Sequence, residues 1–302
     1  MDRTAAGNAD PFHPLCWSTP LKSVTAEAVH VVVSDAFVAA LSAGALQADD
    51  AEQLAAAFPA ECARLEAAVN QLGRGGDGFV VKLCGKVPVD AVWITPLRSL
   101  QCRSWRDALA MLRASVRVHA DEAPCERLRP AVVSVLAWAN IEPSLEFRAF
   151  VWDGALLAIC QRQADAAYPF LDEWEADIVR AVGNFYHTLL LPAHPGYARC
   201  VFDCYLDAQR QVRLVDMHRW DDRTDPLLFT AAELERFRCT SSSDASGDTP
   251  RKVHFRFVSE GMTPACRTVL DGVPLEMRDE SLWQALERVQ TPPCAAFEPQ
   301  AE

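Results

Sequence analysis

Three familiar signatures of catalysis and nucleotide binding are missing from this chain. No Gly-x-Ser-x-Gly elbow and no His-Glu-x-x-His pair occur, which leaves nucleophilic hydrolysis and zinc proteolysis without support. The glycine-rich run "GRGGDG" at 73–78 lacks the closing Lys-Ser/Thr of a phosphate-binding loop and leads into a strand-forming segment instead of a helix, so it reads as a turn. No apolar run approaches the ~18 residues that a membrane span requires, and no basic-then-apolar leader stands at the start. Positive charge is scarce: 29 Lys and Arg against 41 Asp and Glu give a net charge of -12. That balance disfavours a general nucleic-acid coat or an anionic membrane surface and suits a protein or small-molecule partner.

Cysteine, by contrast, is plentiful, with eleven residues scattered through the chain, most of them inside apolar runs. A secreted chain would normally pair them, so reduced thiols and a cytoplasmic or nuclear setting are expected. Cys200 and Cys204, with His194 and His218 nearby, have the residue types of a zinc site. Alternation along a strand puts both thiols on the face opposite Asp203, where core packing is the better account. At 302 residues, half of them hydrophobic, the chain can bury one large domain or two lobes.

Apolar periodicity alternates between strand and helix along the chain. "AVHVVV" and "FVVKL" read as strands, and "AVWITP" as a neighbour of the second. Helical spacing runs from Ala51 to Leu72 with an interruption at Pro59, and "SWRDALAMLRASV" forms a helix with Ser104 as N-cap and Asp107 in its first turn. "LEFRAFVWDGALLAICQRQ" is a hairpin turned at Asp153-Gly154, because both residues tolerate positive φ. Ile178, Val182, Phe185 and Leu189 mark one face of an amphipathic helix. A second hairpin begins at Cys200, and Thr230 with Glu233 forms a capping box for the helix after it. "CTSSSDASGDTP" has linker composition, "VHFRFVSEG" is a late strand, and "ESLWQALERV" a last helix. Hairpins and helices in this order predict an α+β fold with antiparallel sheets.

Two aspartates of the second hairpin, Asp203 and Asp216, sit among Val, Phe, Tyr and Leu. A carboxylate in apolar surroundings is costly unless a named partner compensates it. If Asp203 lies across from Asp216, the loop is 208–211 and both carboxylates point to one face, ~5 Å apart, with His218 beside them. A hard divalent cation between them would then remove the repulsion. A register slipped by one residue would instead send them to opposite faces. Salt bridges to Arg213 or Arg219 are the third option, and spacing alone leaves all three open.

Together, "LEFRAFVWDGALLAICQR", "VFDCYLDAQRQVRLVDMH" and "TDPLLFTAAELE" resemble the cell division cycle protein 123 family. "VVKLCGKVPVDAVWI" and "SLQCRSWRDALAMLRAS" upstream, and "HFRFVSEGMTP" downstream, extend the likeness over residues 15 to 275. The resemblance implies an α+β, ATP-grasp-like fold of two lobes with antiparallel sheets and a nucleotide cleft between them. The lobes would span 1–130 and 131–275, the second with a flexible insert at 239–252, followed by a helix and tail at 276–302. It implies ATP and magnesium as ligands of an assembly chaperone for eukaryotic translation initiation factor 2. That chaperone would bind the factor's gamma subunit as a cytoplasmic monomer, without nucleic acid or membrane. An ATP-grasp ligase or kinase-like enzyme on an unknown acceptor, or an interaction module without nucleotide, is the alternative that fold alone leaves open.

By position, the resemblance assigns ATP contacts to Lys82, Gly85, Lys86, Trp138, Arg148 and Arg162, and metal contacts to Asp203, Asp216 and His218. It assigns no catalytic residue. Arg148 and Arg162 have Glu146 and Asp165 as other partners within reach in sequence. His218 stands where the family has asparagine, and imidazole is a poorer magnesium partner than an amide oxygen. Leu136-Ala137, Cys84-Gly85-Lys86 and Gln163 replace a basic pair, Asn-Trp-Ser and an acidic residue of the family.

Overall fold

The computed structural model describes residues 10–42, 50–72, 76–95, 98–119, 129–221, 224–243 and 252–259. Strands β1 (Ala28–Val32), β2 (Phe79–Leu83) and β3 (Val132–Ala137) form an antiparallel sheet in the order β1-β3-β2. Side chains alternate across a strand, so Phe79, Val81, Leu83, Val133 and Val135 enter one apolar core. His30, Ser134 and Lys82, which are partners in register, form a polar row on the other face. Helices α1 (Asp35–Ser42), α2 (Asp50–Ala57), α3 (Pro59–Leu72) and α4 (Trp105–Ala114) supply the rest of that core through Phe37, Leu54, Leu65 and Leu112. Pro59 separates α2 from α3 by opening the second helix, where its missing N–H costs nothing. Ser104 is the N-cap of α4 as expected, and with Asp107 it closes a capping box, each side chain bonding the other's backbone N–H.

The segment expected as a strand around 91–96 is not one. Val89–Ile94 winds into a 3-10 helix that buries Ala91. The free edge of β2 is taken instead by Cys102, which exchanges backbone hydrogen bonds of 2.9 and 2.7 Å with Phe79.

The second sheet has the order β7-β6-β4-β5-β8. Its strands are β4 (Glu146–Trp152), β5 (Ala155–Gln161), β6 (Cys200–Leu206), β7 (Val212–Arg219) and β8 (His254–Arg256). All neighbours are antiparallel except β8, which runs parallel to β5. The β4–β5 turn sits where expected, with Asp153 at φ 48° and Gly154 at φ 76°. One face packs Phe147, Phe202, Cys200 and Cys204 against helix α5 (Phe170–Phe185), confirming the two thiols as core residues. The other packs Phe150, Ala158 and Val201 against Leu234 of helix α6 (Ala231–Ser243). Both rims are closed: β8 covers β5, and Thr25 makes a parallel bridge to Leu214 of β7.

Helix α6 continues through Ser243, so the segment at 239–252 begins as helix rather than as linker. Its residues 244–251 and the expected helix at 280–289 lie outside the described residues. Strand β8 is three residues long, shorter than its apolar pattern suggested. Among the described residues no disulfide joins the cysteines, and no helix is long and apolar enough to cross a membrane.

Helix α5 shows a further departure. Ile178, Val182 and Phe185 are buried as expected, but Leu189 is 43% exposed and Leu190 is fully buried. The cause is a π turn at Tyr186–Leu190, whose extra residue per turn rotates the inward position from 189 to 190. Leu190→Ala is therefore expected to cost about 2–5 kcal/mol in urea unfolding, and Leu189→Ala no more than about 0.5 kcal/mol. Equal losses would contradict the π turn.

Candidate functional site

The polar faces of the two sheets meet at one lysine. Alternation in "FVVKL" turns Lys82 away from the helices, and it is 5% exposed. Its Nζ donates to the Val215 carbonyl at 3.1 Å and pairs with Asp216 Oδ2 at 3.1 Å. Val215 is accessible for a structural reason. Asp203 faces Asp216, while Cys204 faces Leu214, so Val215 is an extra residue on β7. Such a bulge disrupts the ladder locally, and Lys82 takes up the carbonyl it presents. The same bulge makes the hairpin connection 207–211, one residue longer than simple pairing predicts.

A row of side chains then crosses the larger sheet: Asp216 on β7, Asp203 on β6, Arg148 on β4, Cys160 on β5 and Arg256 on β8 are successive partners in register. Asp203, 5% exposed, accepts from Arg148 Nε at 2.7 Å and Arg148 Nη2 at 2.8 Å, and from Arg162 Nε at 3.2 Å. The third Arg148 nitrogen, Nη1, donates to the Asp225 carbonyl at 3.0 Å. The repulsion between the two opposed aspartates is thus met by cationic side chains, one set for each carboxylate. Arg213 and Arg219 take no part: they pair with Asp207 and Asp10. Nor do the guanidinium groups of Arg148 and Arg162 turn to the carboxylates of Asp165 or Glu146: the Glu146 carboxylate accepts from Gln163 at 3.1 Å, and its carbonyl accepts from the Arg162 backbone N–H at 2.8 Å.

Electrostatics follow from this packing. Burial alone would raise the Asp203 pKa, but the Arg148 hydrogen bonds and the Arg148 and Arg162 charges outweigh it and hold the carboxyl well below its usual range. Burial likewise works against the Arg148 charge, and Asp203 more than restores it. Glu146 is raised by burial, against the pull of Gln163 and Arg162. His218 is lowered by burial, against the pull of Asp203 and Asp216.

The structure therefore gathers Lys82, Arg148, Arg162, Asp203, Asp216 and His218. It does not bring in the other three expected residues. Gly85, at φ 81°, forms with Cys84 the tight turn after β2, and Lys86 Nζ donates to the Arg117 carbonyl. Trp138 follows β3 at the opposite end of that sheet, where its backbone N–H bonds the Gly78 carbonyl. Two further groups border the cluster: Ser134, which sequence reasoning passed over, and Glu146, which it offered only as a partner for the arginines. Ser134, the partner of Lys82 in register, meets His30 at 2.8 Å between Oγ and Nδ1. Glu146 stands two residues before Arg148, on its face of β4. Strand alternation was the signal available for both.

As arranged, the three expected metal ligands share a face of the large sheet. Both Asp203 oxygens are engaged by arginine, and among the described residues no three His, Cys, Asp or Glu side chains converge to hold an ion. The nitrogens of Lys82, Arg148 and Arg162 suit a polyanion better than a free cation.

Helices packed on two mostly antiparallel sheets, with a charged cluster where the sheets meet, define an α+β protein, consistent with an ATP-grasp-like fold. The chain belongs to the D123 family, whose model matches residues 40–281. Its relatives include the "Translation initiation factor eIF2 assembly protein" of Emericella nidulans, 32% identical over 60% of this chain and 48% of the relative. The protein of the same name from Xenopus laevis is 29% identical over 68% and 62%. The "Cell division cycle protein 123" of Phaeosphaeria nodorum is 32% identical over 53% and 44%. These matches span about half to three-fifths of the relatives' lengths. The structure of Cdc123 from Schizosaccharomyces pombe has the same fold, with a TM-score of 0.64 at 24% identity, over 81% of this chain and 95% of that one.

Removing Asp203 leaves a buried guanidinium without its counter-charge, so Asp203→Ala is expected to cost about 3–5 kcal/mol in denaturant unfolding. Because the folded-state pKa of Asp203 is depressed, the stability it contributes is present above the unfolded value of about 4 and is lost as pH falls through the folded pKa. The stability gap between wild type and Asp203→Asn should be constant near neutrality and close below about pH 4. A gap that does not change with acidification would refute the assignment.

Proposed function

We propose that this chain is an ATP-binding assembly factor for eukaryotic translation initiation factor 2 that engages the gamma subunit of that factor and acts by binding rather than by catalysis. Membership of the D123 family and the printed names of its relatives support the assembly role. The observation that carries the nucleotide part is the convergence of Lys82, Arg148 and Arg162 at the junction of the two sheets. Ammonium and guanidinium donors in a shielded site suit phosphate oxygens, which would draw Lys82 from Asp216 and share the arginine nitrogens with Asp203. Magnesium fits here as the companion of the triphosphate. Asp216 and His218 are the protein donors best placed for it, since Asp203 stays paired with the arginines.

Two measurements test this reading separately. A thermal shift with ATP and magnesium chloride should raise the melting temperature of wild type, by the equivalent of about 2.7 kcal/mol at a hundredfold excess over Kd, and should leave Lys82→Ala unmoved. No shift in wild type would end the nucleotide claim and favour an interaction module. Immobilised full-length protein should retain purified initiation factor 2 gamma subunit; failure to retain it would remove the partner.

A further inference from the structure

A groove of about 570 Å3 lies between α5 and the β6–β7 hairpin. It opens beside the face of the large sheet that carries Phe202 and Cys204, whereas Asp203 and Arg148 occupy the opposite face. Its floor is apolar, with Ile178, Phe185, Leu206 and Val212 contributed by the buried core. Two backbone irregularities deliver side chains into it. The π turn at Tyr186–Leu190 pushes Leu189 outward, 43% exposed on the rim. The hairpin loop holds Arg210 at φ 57°, a conformation that costs a non-glycine residue about 1 kcal/mol, and lays its guanidinium 4.0 Å from the centre of the Trp174 ring. π turns recur at functional sites, and strained residues persist where the surrounding structure over-determines them.

The charge of the groove runs against that of the chain. Arg180, Arg210 and Arg213 line it in a protein of net charge -12. Arg180 pairs with Asp177 and Arg213 with Asp207, while among the described residues Arg210 has no carboxylate partner. The occupant that complements this set carries carboxylates beside an apolar anchor. Nucleic acid is disfavoured by Asp177 in the lining and by the overall charge, and a flat lipid surface by the concave shape.

We propose that this groove is a docking site for an acidic, apolar-anchored peptide segment of a partner protein, with Leu189 and Trp174 meeting the anchor and Arg210 meeting a carboxylate. The proposal is independent of the nucleotide reading. It is tested by fluorescence anisotropy of the full chain with a labelled peptide of two Glu-Leu-Leu-Glu-Asp-Trp-Leu repeats. Saturable binding is expected, weakened about tenfold by Arg210→Glu and by Leu189→Ser, both at exposed positions, and unaffected by Arg106→Ala, an exposed residue of α4 outside the groove. A peptide with lysine in place of every acidic residue should not bind.

Four results would overturn it. These are no saturable binding, binding unchanged in both groove variants, equal binding of the lysine peptide, or an Arg210→Glu-sensitive affinity for phosphatidylserine vesicles or single-stranded DNA instead of the peptide. A dimer in sedimentation that Arg210→Glu dissociates would assign the groove to a second copy of the chain and overturn it equally.

Discussion

Asp203 stands in the middle of a five-stranded sheet with 5% of its surface exposed, where an unmet carboxylate would not survive as an ion. Arg148 on the adjacent strand meets it with two parallel hydrogen bonds, a geometry available to a guanidinium and not to a lysine. The pairing constrains what surrounds it. β4 and β6 must hold the register that sets the two residues side by side, and the segment after β7 must bring the Asp225 carbonyl to the remaining arginine nitrogen. Arg162, at the end of β5, completes the shell around the same carboxylate.

The second carboxylate is handled differently, and the difference joins the sheets. Asp216 has no arginine across the strand, because its neighbour in the row is Asp203 itself. Its cation comes from the other sheet, through Lys82, which the alternation of β2 aims outward. The Val215 bulge makes the contact bidentate in effect, by offering a carbonyl beside the carboxylate. One irregular residue in a hairpin thus sets both the length of its loop and the way two sheets touch.

Much of this was legible in the sequence where chemistry is local. Asp153-Gly154, the Ser104 N-cap, the Thr230 capping box and the helix break at Pro59 each depend on residues within a few positions, and each is present. The register of Asp203 against Asp216 was one of the options that hairpin geometry allowed. The partners of the two aspartates were not legible, because Arg148 and Lys82 lie 55 and 134 positions away and arrive through sheet order. The π turn escaped for another reason: a period of 3.6 from Ile178, Val182 and Phe185 points to Leu189, and the extra residue that turns Leu190 inward instead is chosen by packing. "AVWITP" has the composition of a strand, but an edge already bonded by Cys102 has no room for it.

Strand β8 has a consequence beyond its three residues. It is the only parallel strand among those described, it comes from a distant part of the sequence, and it occupies the β5 rim of a sheet whose opposite rim is held by Thr25. An uncovered rim presents unpaired N–H and C=O groups that template association with other chains. The edge pairing of Ala158, Ile159 and Cys160 therefore rests on a short segment far from β5 in the sequence. A cut just before residue 252 would leave the charged cluster's residues in the chain and turn a self-contained sheet into an adhesive one.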